Sequence, residues 1–316
     1  MYLIRSVDEV RHFSQQARGQ HRPLGLVPTM GALHEGHLSL VRKARDECAS
    51  VVVSIFVNPT QFGPREDLGR YPRDLERDLA LLARFNIDAV FAPDAGAMYP
   101  AGFDTWVDPG AAAQPLEGAL RPGHFRGVAT VVLKLLNLVE PNAVYFGQKD
   151  FQQAMVIRRL IEDFNLEVRF VLCPIVRELD GLAMSSRNAY LGAEDRVAAL
   201  ALSQALQHAE TAFCHGETRT EALVDEMKRV IASEPRLQLD YAVVVEAQKL
   251  SPPAIVTAGS VALIAARAGS TRLLDNLILA PPGTNDEDRL QLALTPECCK
   301  SKRRSPTKNC SLPDWS

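Results

Sequence analysis

Two hydrophobic periodicities alternate along the first half of the chain. Short runs at 24–27, 51–56, 89–91, 143–146 and 168–173 are apolar and largely rich in Val, Ile and Phe. This is the pattern of parallel strands buried on both faces. Between them lie stretches with helical character at 7–19, 39–49, 74–85, 127–139 and 152–164. Segment 74–85 has apolar positions at Leu75, Leu79 and Leu82, with charges between the first two, which predicts a helix with one buried face. This alternation predicts an α/β fold, a Rossmann-like doubly wound parallel sheet with ligands at the C-terminal ends of its strands.

The pattern changes near residue 175. Segment 192–216 reads as a long Ala/Leu-rich helix and 218–233 as another, while 239–246, 260–267 and 271–279 read as strands. The expected organisation is a Rossmann-like ligand-binding domain over 1–175 and a smaller C-terminal α+β domain over 176–280. From 281 onward the periodicity fades. The run Asn285-Asp286-Glu287-Asp288-Arg289, the run Lys300-Ser301-Lys302-Arg303-Arg304, and Pro and Ser leave little apolar material beyond 290–294. Segment 281–316 is therefore expected to be a disordered tail, with a basic interaction patch at 300–304 as the alternative. No internal repeat is evident.

Composition narrows the class. The chain is 47% hydrophobic and 23% charged with a net charge of −3, ordinary for a globular enzyme, and offers no basic field for nucleic acid. No run of 18 apolar residues appears, and Met1-Tyr2-Leu3-Ile4-Arg5-Ser6 lacks the basic-then-apolar order of a secretory signal. A cytoplasmic location without membrane contact is expected. Cys48, Cys173 and Cys214 stand isolated, Cys298, Cys299 and Cys310 sit in the tail, and no C-x-x-C occurs, so neither a disulfide framework nor a zinc ribbon is expected.

The chemistry concentrates where strands run into helices. The first of these junctions is Val27-Pro28-Thr29-Met30-Gly31-Ala32-Leu33-His34-Glu35-Gly36-His37. A strand, a Gly-punctuated turn and a helix start build an anion site, because the first amides of a helix are unpaired and carry partial positive charge. His34 and His37, three residues apart, can face one ligand and stabilise charge on phosphoryl oxygens. The rival reading is a zinc site, for which no further ligand cluster stands out in the sequence. The second junction is Ser54-Ile55-Phe56-Val57-Asn58-Pro59-Thr60-Gln61-Phe62-Gly63. Here Asn58 and Gln61 are neutral amides suited to hydroxyls and carboxylates, although Asn58-Pro59 also reads as plain turn chemistry.

Phe146-Gly147-Gln148-Lys149-Asp150-Phe151-Gln152-Gln153 again leaves a strand and opens a helix. Lys149 suits polyphosphate, Asp150 suits either a helix cap or a ribose, and Gln153 lies on the same helical side as Asp150. Gly181-Leu182-Ala183-Met184-Ser185-Ser186-Arg187-Asn188 places two hydroxyls and a guanidinium in one loop, which suits a phosphate clamp or simple N-capping. Arg121, His124 and Arg126 occupy a Gly-rich loop before a helix and either face phosphate or fix the loop. No P-loop, G-x-G-x-x-G or G-x-S-x-G pattern is present.

His-x-Gly-His at a strand-to-helix turn resembles the signature of the adenylate-forming, HIGH-type nucleotidyltransferase superfamily. In combination, Pro-Thr-Met-Gly-x-Leu-His-x-Gly-His, Phe-Val-Asn-Pro-x-Gln-Phe, Arg-Pro-Gly-His-Phe-Arg-Gly-Val, Phe-Gly-x-Lys-Asp-Phe-Gln-Gln and Ser-Ser-Arg-Asn resemble the pantoate–β-alanine ligase (pantothenate synthetase) family. Thr271-Arg272-Leu273-Leu274-Asp275-Asn276 is similar to that family's C-terminal strand.

The resemblance implies a two-step, AMP-forming ligase of pantothenate biosynthesis. (R)-Pantoate and ATP-Mg2+ give pantoyl adenylate and diphosphate, and β-alanine then displaces AMP. It implies that Met30, Gly31, Ala32, Leu33, His34, Glu35, Gly36 and His37 line the ATP site, with His37 as general acid and His34 and Lys149 as its catalytic companions. Gly147, Gln148, Lys149, Asp150, Val176, Met184, Ser185, Ser186 and Arg187 complete that site. Lys149 is expected on phosphate, Asp150 toward the ribose, and Arg187 as the cation of a loop equivalent to the superfamily's Lys-Met-Ser-Lys-Ser loop. Gln61 is implied for pantoate and β-alanine, Gln153 for pantoate, and Asn58 is expected beside them. A homodimer is implied, with Mg2+ arriving on ATP, no tightly bound cofactor and no protein-held metal. Segment 63–71 or the second domain is a candidate cover for the labile intermediate. Segment 281–316 has no counterpart in the family. Two other classes remain open at this level: a nucleotidyltransferase that keeps the nucleotide on its product, and a non-catalytic nucleotide-binding protein.

Overall fold

The computed structural model describes residues 1–19, 23–64 and 66–295. The first domain runs β1 (Tyr2–Ile4), α1 (Val7–Gly19), β2 (Leu24–Thr29), α2 (Glu35–Glu47), β3 (Ser50–Ile55), α3 (Leu75–Leu82), β4 (Ala89–Phe91), α4 (Ala95–Met98), α5 (Glu117–Leu120), α6 (His124–Val139), β5 (Ala143–Gly147), α7 (Phe151–Asp163) and β6 (Arg169–Cys173). Among the described residues β1 to β6 form one sheet in the order β1-β4-β3-β2-β5-β6, every pairing parallel. The doubly wound fold is therefore present. β2 and β3 are buried on both faces, which is why their sequences are apolar without alternation.

One apolar layer packs under α6 and α7, including Val128, Val132, Phe151 and Ile157. The layer on the opposite face gathers Leu38, Val41 and Leu82 from α2 and α3. The second domain contains α8 (Ala193–Cys214), α9 (Thr220–Ala232), β7 (Leu237–Glu246), β8 (Ser260–Ala268) and β9 (Thr271–Ile278). Its strands form an antiparallel sheet in the order β7-β8-β9. β8 shows why the two domains hold together. Ala262, Ile264, Ala266 and Ala268 face α8 and α9, while Val261 and Leu263 join the core cluster of the first domain.

The structure corrects the expected elements in four places. β1 escapes the pattern because it is a three-residue edge strand with two of its residues exposed. α2 begins at Glu35 rather than 39, and α6 at His124 rather than 127. Finally, 281–316 is not disordered throughout. A helix, α10 (Asp286–Leu294), is capped by Asn285, whose side chain accepts the Asp288 N–H, and it buries Leu290 and Ala293 in the main core. The acidic run that reads as a solvated tail is instead the first turn of a helix, where Asp286, Glu287 and Asp288 complement the helix dipole. The expected basic patch at 300–304 and the three tail cysteines lie outside the described residues.

Candidate active site

β2 is the strand at which the order of the sheet reverses. The chain proceeds from it through β3 and β4 on one side and through β5 and β6 on the other. Crevices at such switch points bind ligands. A cleft of about 1430 Å³ of empty space, open solvent included, lies there, lined by Thr29, Met30, Phe56, Gly147 and Ile175 from the strand ends.

The turn from β2 to α2 forms one wall. Gly31 and Ala32 are both left-handed, with φ of +79° and +51°. His34 is the N-cap of α2, its Nδ1 accepting the Gly36 N–H at 3.2 Å. His37 sits at the third helical position, and its Nδ1 accepts the His34 N–H at 3.4 Å. This reciprocal arrangement is a capping box built from two histidines. It also sets the tautomers. With each Nδ1 occupied as an acceptor, the neutral ring carries its proton on Nε2. The ring centroids are 4.1 Å apart. Burial and then the Lys149 charge push His34 down to about 4, while burial and then His34 push His37 down to about 3. Both imidazoles are therefore neutral at pH 7, each with an Nε2–H to donate. The rival zinc reading finds no support, since among the described residues no group of three or more His, Cys, Asp or Glu is placed to hold a metal ion.

The Asn58–Gln61 turn forms a second wall. Asn58 is 1% exposed, and its polar atoms are engaged within the protein. Its Oδ1 accepts from the Thr60 N–H, the Thr60 hydroxyl and the Tyr99 hydroxyl, while its Nδ2 donates to Gln61 Oε1 at 3.1 Å and Gly127 O at 3.2 Å. Gly127 permits this closeness, for a Cβ there would lie 2.4 Å from Thr60 O. Gln61 thus has its Oε1 held by Asn58, while its Nε2 donates to the Met30 sulfur, a weak acceptor. The Gln61 amide remains the group with donors to offer.

Lys149, Asp150 and Gln153 come from the end of β5 and the start of α7. Lys149 Nζ lies 3.3 Å from Asp150 Oδ1. Burial raises the Asp150 carboxyl, but Lys149, with help from Arg187 and His124, more than offsets this and holds it below its ordinary value. Gln153 lines the cleft with no side-chain hydrogen bond inside the described protein. The second domain holds this segment. Asn276 on β9 is buried, and its Nδ2 donates to Gln148 O at 3.0 Å and Lys149 O at 2.9 Å, while Gln148 Nε2 donates back to Asn276 Oδ1 at 3.0 Å.

The loop after β6 closes the far side. The Met184 N–H donates to Val176 O at 3.0 Å, and the Ser186 hydroxyl donates to Ala32 O at 3.3 Å, tying this loop to the histidine turn. Ser185 caps the short 3-10 turn Ser186–Tyr190. Arg187 makes a two-pronged bond to Asp67, both contacts 2.9 Å, and lies over the Tyr71 ring. Arg121, another lining cation, pairs with Glu66 at 2.6 Å. The expected ATP-site residues divide accordingly. Met30, His34, Gly36, His37, Gly147, Lys149, Asp150, Val176, Met184, Ser185, Ser186 and Arg187 line the cleft, as do Gln61, Gln153 and Asn58. Gly31, Ala32 and Leu33 form the turn behind it, Gln148 is turned to Asn276, and the Glu35 side chain points to Arg42. Glu66, Asp67 and Tyr71 fall in the candidate cover 63–71 and Asn276 in the strand-like stretch 271–276, but motif reading gives none of the four a role. Their positions arise from contacts distant in sequence, although the Tyr71-Pro72 step after a Gly-rich loop marks where to look.

Comparison with known proteins identifies the family. Residues 2–278 match the family model described as pantoate-beta-alanine ligase. A pantothenate synthetase of Roseiflexus castenholzii is 55% identical over 276 residues, 87% of this chain and 99% of that protein. One from Thermotoga petrophila is 50% identical over 88% of this chain and 100% of its own length. The crystal structure of the Thermus thermophilus pantothenate synthetase superposes with a TM-score of 0.84 at 44% identity, covering 89% of this chain and 100% of that one. The chain belongs to the pantoate–β-alanine ligase family, whose reaction is the ATP-dependent, AMP-forming joining of pantoate to β-alanine through an adenylate.

Proposed function

We propose that the cleft divides the reaction among the residues assembled there. In the first step a pantoate carboxylate oxygen attacks the α-phosphorus of ATP, the bond to the β-phosphate bridging oxygen breaks, and diphosphate leaves. Charge develops on the phosphoryl oxygens and the leaving group. The two Nε2–H donors of His34 and His37, fixed at the N-terminus of α2, and the Lys149 ammonium stabilise that charge. Gln153 and the Gln61 amide hold the carboxylate and hydroxyls of pantoate. Asn58 acts through Gln61, since its own donors and acceptors are taken. In the second step the β-alanine nitrogen attacks the acyl carbon, the acyl–oxygen bond breaks, AMP leaves, and the nitrogen loses a proton.

Asp150 is assigned to the ribose, and Ser185, Ser186, Met184 and Val176 to the nucleotide. Arg187 reaches phosphate by exchanging Asp67 for it, because carboxylate and phosphate accept the same guanidinium fork. With Asp150 the one carboxylate among the described lining residues, the donor set fits a Mg2+ ion that arrives on the phosphates and keeps its waters. When bound, that ion supplies further charge neutralisation. The solved Francisella tularensis pantoate-beta-alanine ligase, 34% identical with a TM-score of 0.73, is a complex with beta-gamma ATP and beta-alanine, which supports ligands of this kind here. A homodimer acting in the cytoplasm, where ATP is made and used, completes the proposal.

The observation that carries this reading is the pair of outward Nε2–H donors sharing one cleft with Lys149 and the unpartnered Gln153. Pantoate-dependent exchange of labelled diphosphate into ATP tests it. Lys149→Ala is expected to slow exchange by about two orders of magnitude or more. Gln153→Ala is expected to raise the pantoate requirement and leave ATP affinity unchanged. Equal effects on both substrates in Gln153→Ala contradict the division.

A further inference from the structure

The histidine turn is held from behind by a residue outside the cleft. Asp78 lies on α3 and is 1% exposed. Its Oδ2 accepts the Ala32 N–H at 2.9 Å, and its Oδ1 accepts the Leu33 N–H at 2.8 Å. These are the two amides immediately before His34, in a turn where Gly31 and Ala32 are left-handed in succession. Ala32 carries a Cβ that disfavours this conformation, so the turn needs external hold. Asp78 supplies it on the amide side. On the carbonyl side, Ala32 O receives the Ser186 hydroxyl at 3.3 Å. One peptide segment thus connects Asp78, the N-cap of α2 and the Ser185–Arg187 loop. Burial raises the Asp78 carboxyl, and the Leu33 and Ala32 amides work against that rise, so the bonds to the turn are also what favour its charged form.

We propose that Asp78 is a positioning residue of the adenylation step: by gripping the Ala32 and Leu33 amides it sets the spacing between the His34/His37 donors and the Ser186 loop on the other side of the polyphosphate. This rests on the reading of the histidines as phosphate ligands. Displacement of such groups by about 1 Å costs on the order of a hundredfold in rate. Asp78→Asn keeps the shape but turns one acceptor into a donor facing an N–H.

The test is a double-mutant cycle with Ala32→Gly, because glycine enters the left-handed region without the Cβ penalty and makes the turn less dependent on its anchor. Pantoate-dependent ATP–diphosphate exchange is measured on the full chain, with thermal denaturation in parallel. Asp78→Asn is expected to slow exchange by about tenfold to a hundredfold with the KM for β-alanine unchanged. The loss caused by D78N in the A32G background is expected to be several-fold smaller than in the original chain. Should D78N fail to fold, Gly31→Ala probes the same contact, as its Cβ would lie 3.0 Å from Asp78 Oδ2 at a φ of +79°. It is expected to slow exchange in the same way, and normal exchange in G31A overturns the proposal. Equal D78N losses in both backgrounds, or normal exchange in D78N beside a slow His37→Ala, also overturn it. Normal exchange in His37→Ala removes the reading of the histidines and the proposal with it.

Discussion

At the scale of single residues, His37 does two jobs with its two nitrogens. Nδ1 completes the cap of α2, which leaves Nε2–H to donate from a ring that lines the cleft. Glutamine can do both, since its Oε1 replaces the cap acceptor and its amide replaces the outward donor. His37→Ala is expected to slow adenylation by about a hundredfold to a thousandfold. His37→Gln is expected to recover at least about tenfold of that loss. Equal inactivity of the two variants in the diphosphate exchange assay would instead point to proton transfer by His37, the general-acid role implied by the resemblance. The depressed values of His34 and His37 also have a sign. Above about 6.5, the ordinary histidine value, both groups are neutral in the folded and unfolded chain and their contribution to stability is full. As pH falls from 6.5 toward their folded values near 4 and 3, the unfolded chain takes up protons that the folded chain refuses, and stability is lost. Thermal denaturation is expected to show Tm falling between pH 6.5 and 5, with a shallower fall in His37→Gln. An identical slope in both proteins would contradict this.

At the scale of elements, the junctions of strand and helix are the most legible part of the chain. Each expected junction contributes residues to the cleft, because a strand end followed by Gly and a helix start is a local pattern. What escapes is non-local or unusually capped. The start of α2 reads four residues late because His34 is an uncommon N-cap, whereas α10 is hidden by acidic residues that favour a helix start. Asn58 is legible as an amide of the cleft but not as the residue that orients Gln61, since that depends on Gly127 on a distant helix. Asn276 is the clearest case of a distant support. Replacing it with Ala leaves the Gln148 and Lys149 carbonyls and the Gln148 amide short of partners, which is expected to cost about 1–3 kcal/mol. Chemical denaturation is expected to report that loss, and the KM for ATP is expected to rise as Lys149 drifts. An unchanged ATP requirement would show that β9 is not what places Lys149.

At the scale of the whole molecule, the two domains share a core and are stitched by ionic contacts beside the cleft. Glu117 on α5 is 5% exposed, accepts the Tyr241 hydroxyl, and takes a two-pronged bond from Arg272 on β9. Within the second domain, Asp275 on β9 takes another from Arg177 in the loop after β6. Removing one partner of a buried pair strands the other, at about 3–5 kcal/mol. Arg272→Met is therefore expected to lower stability by that order, and equilibrium denaturation with no change would contradict it. α10 adds a smaller term beyond the stretch matched by the family model. Leu290→Ala is expected to cost about 2–3 kcal/mol while leaving turnover at 25 °C unchanged.

The second, smaller sheet is legible from the change in periodicity, but the shared core is not, because the apolar run along β8 says that both faces are buried without saying by what. The cleft joins these scales, because there a carboxylate is activated on AMP before an amine arrives. AMP release from ATP and pantoate, followed with and without β-alanine, tests that claim directly. Steady AMP release in step with pantothenate, and only when β-alanine is present, is the predicted result. A stable nucleotidylated product, or AMP release indifferent to β-alanine, would contradict it.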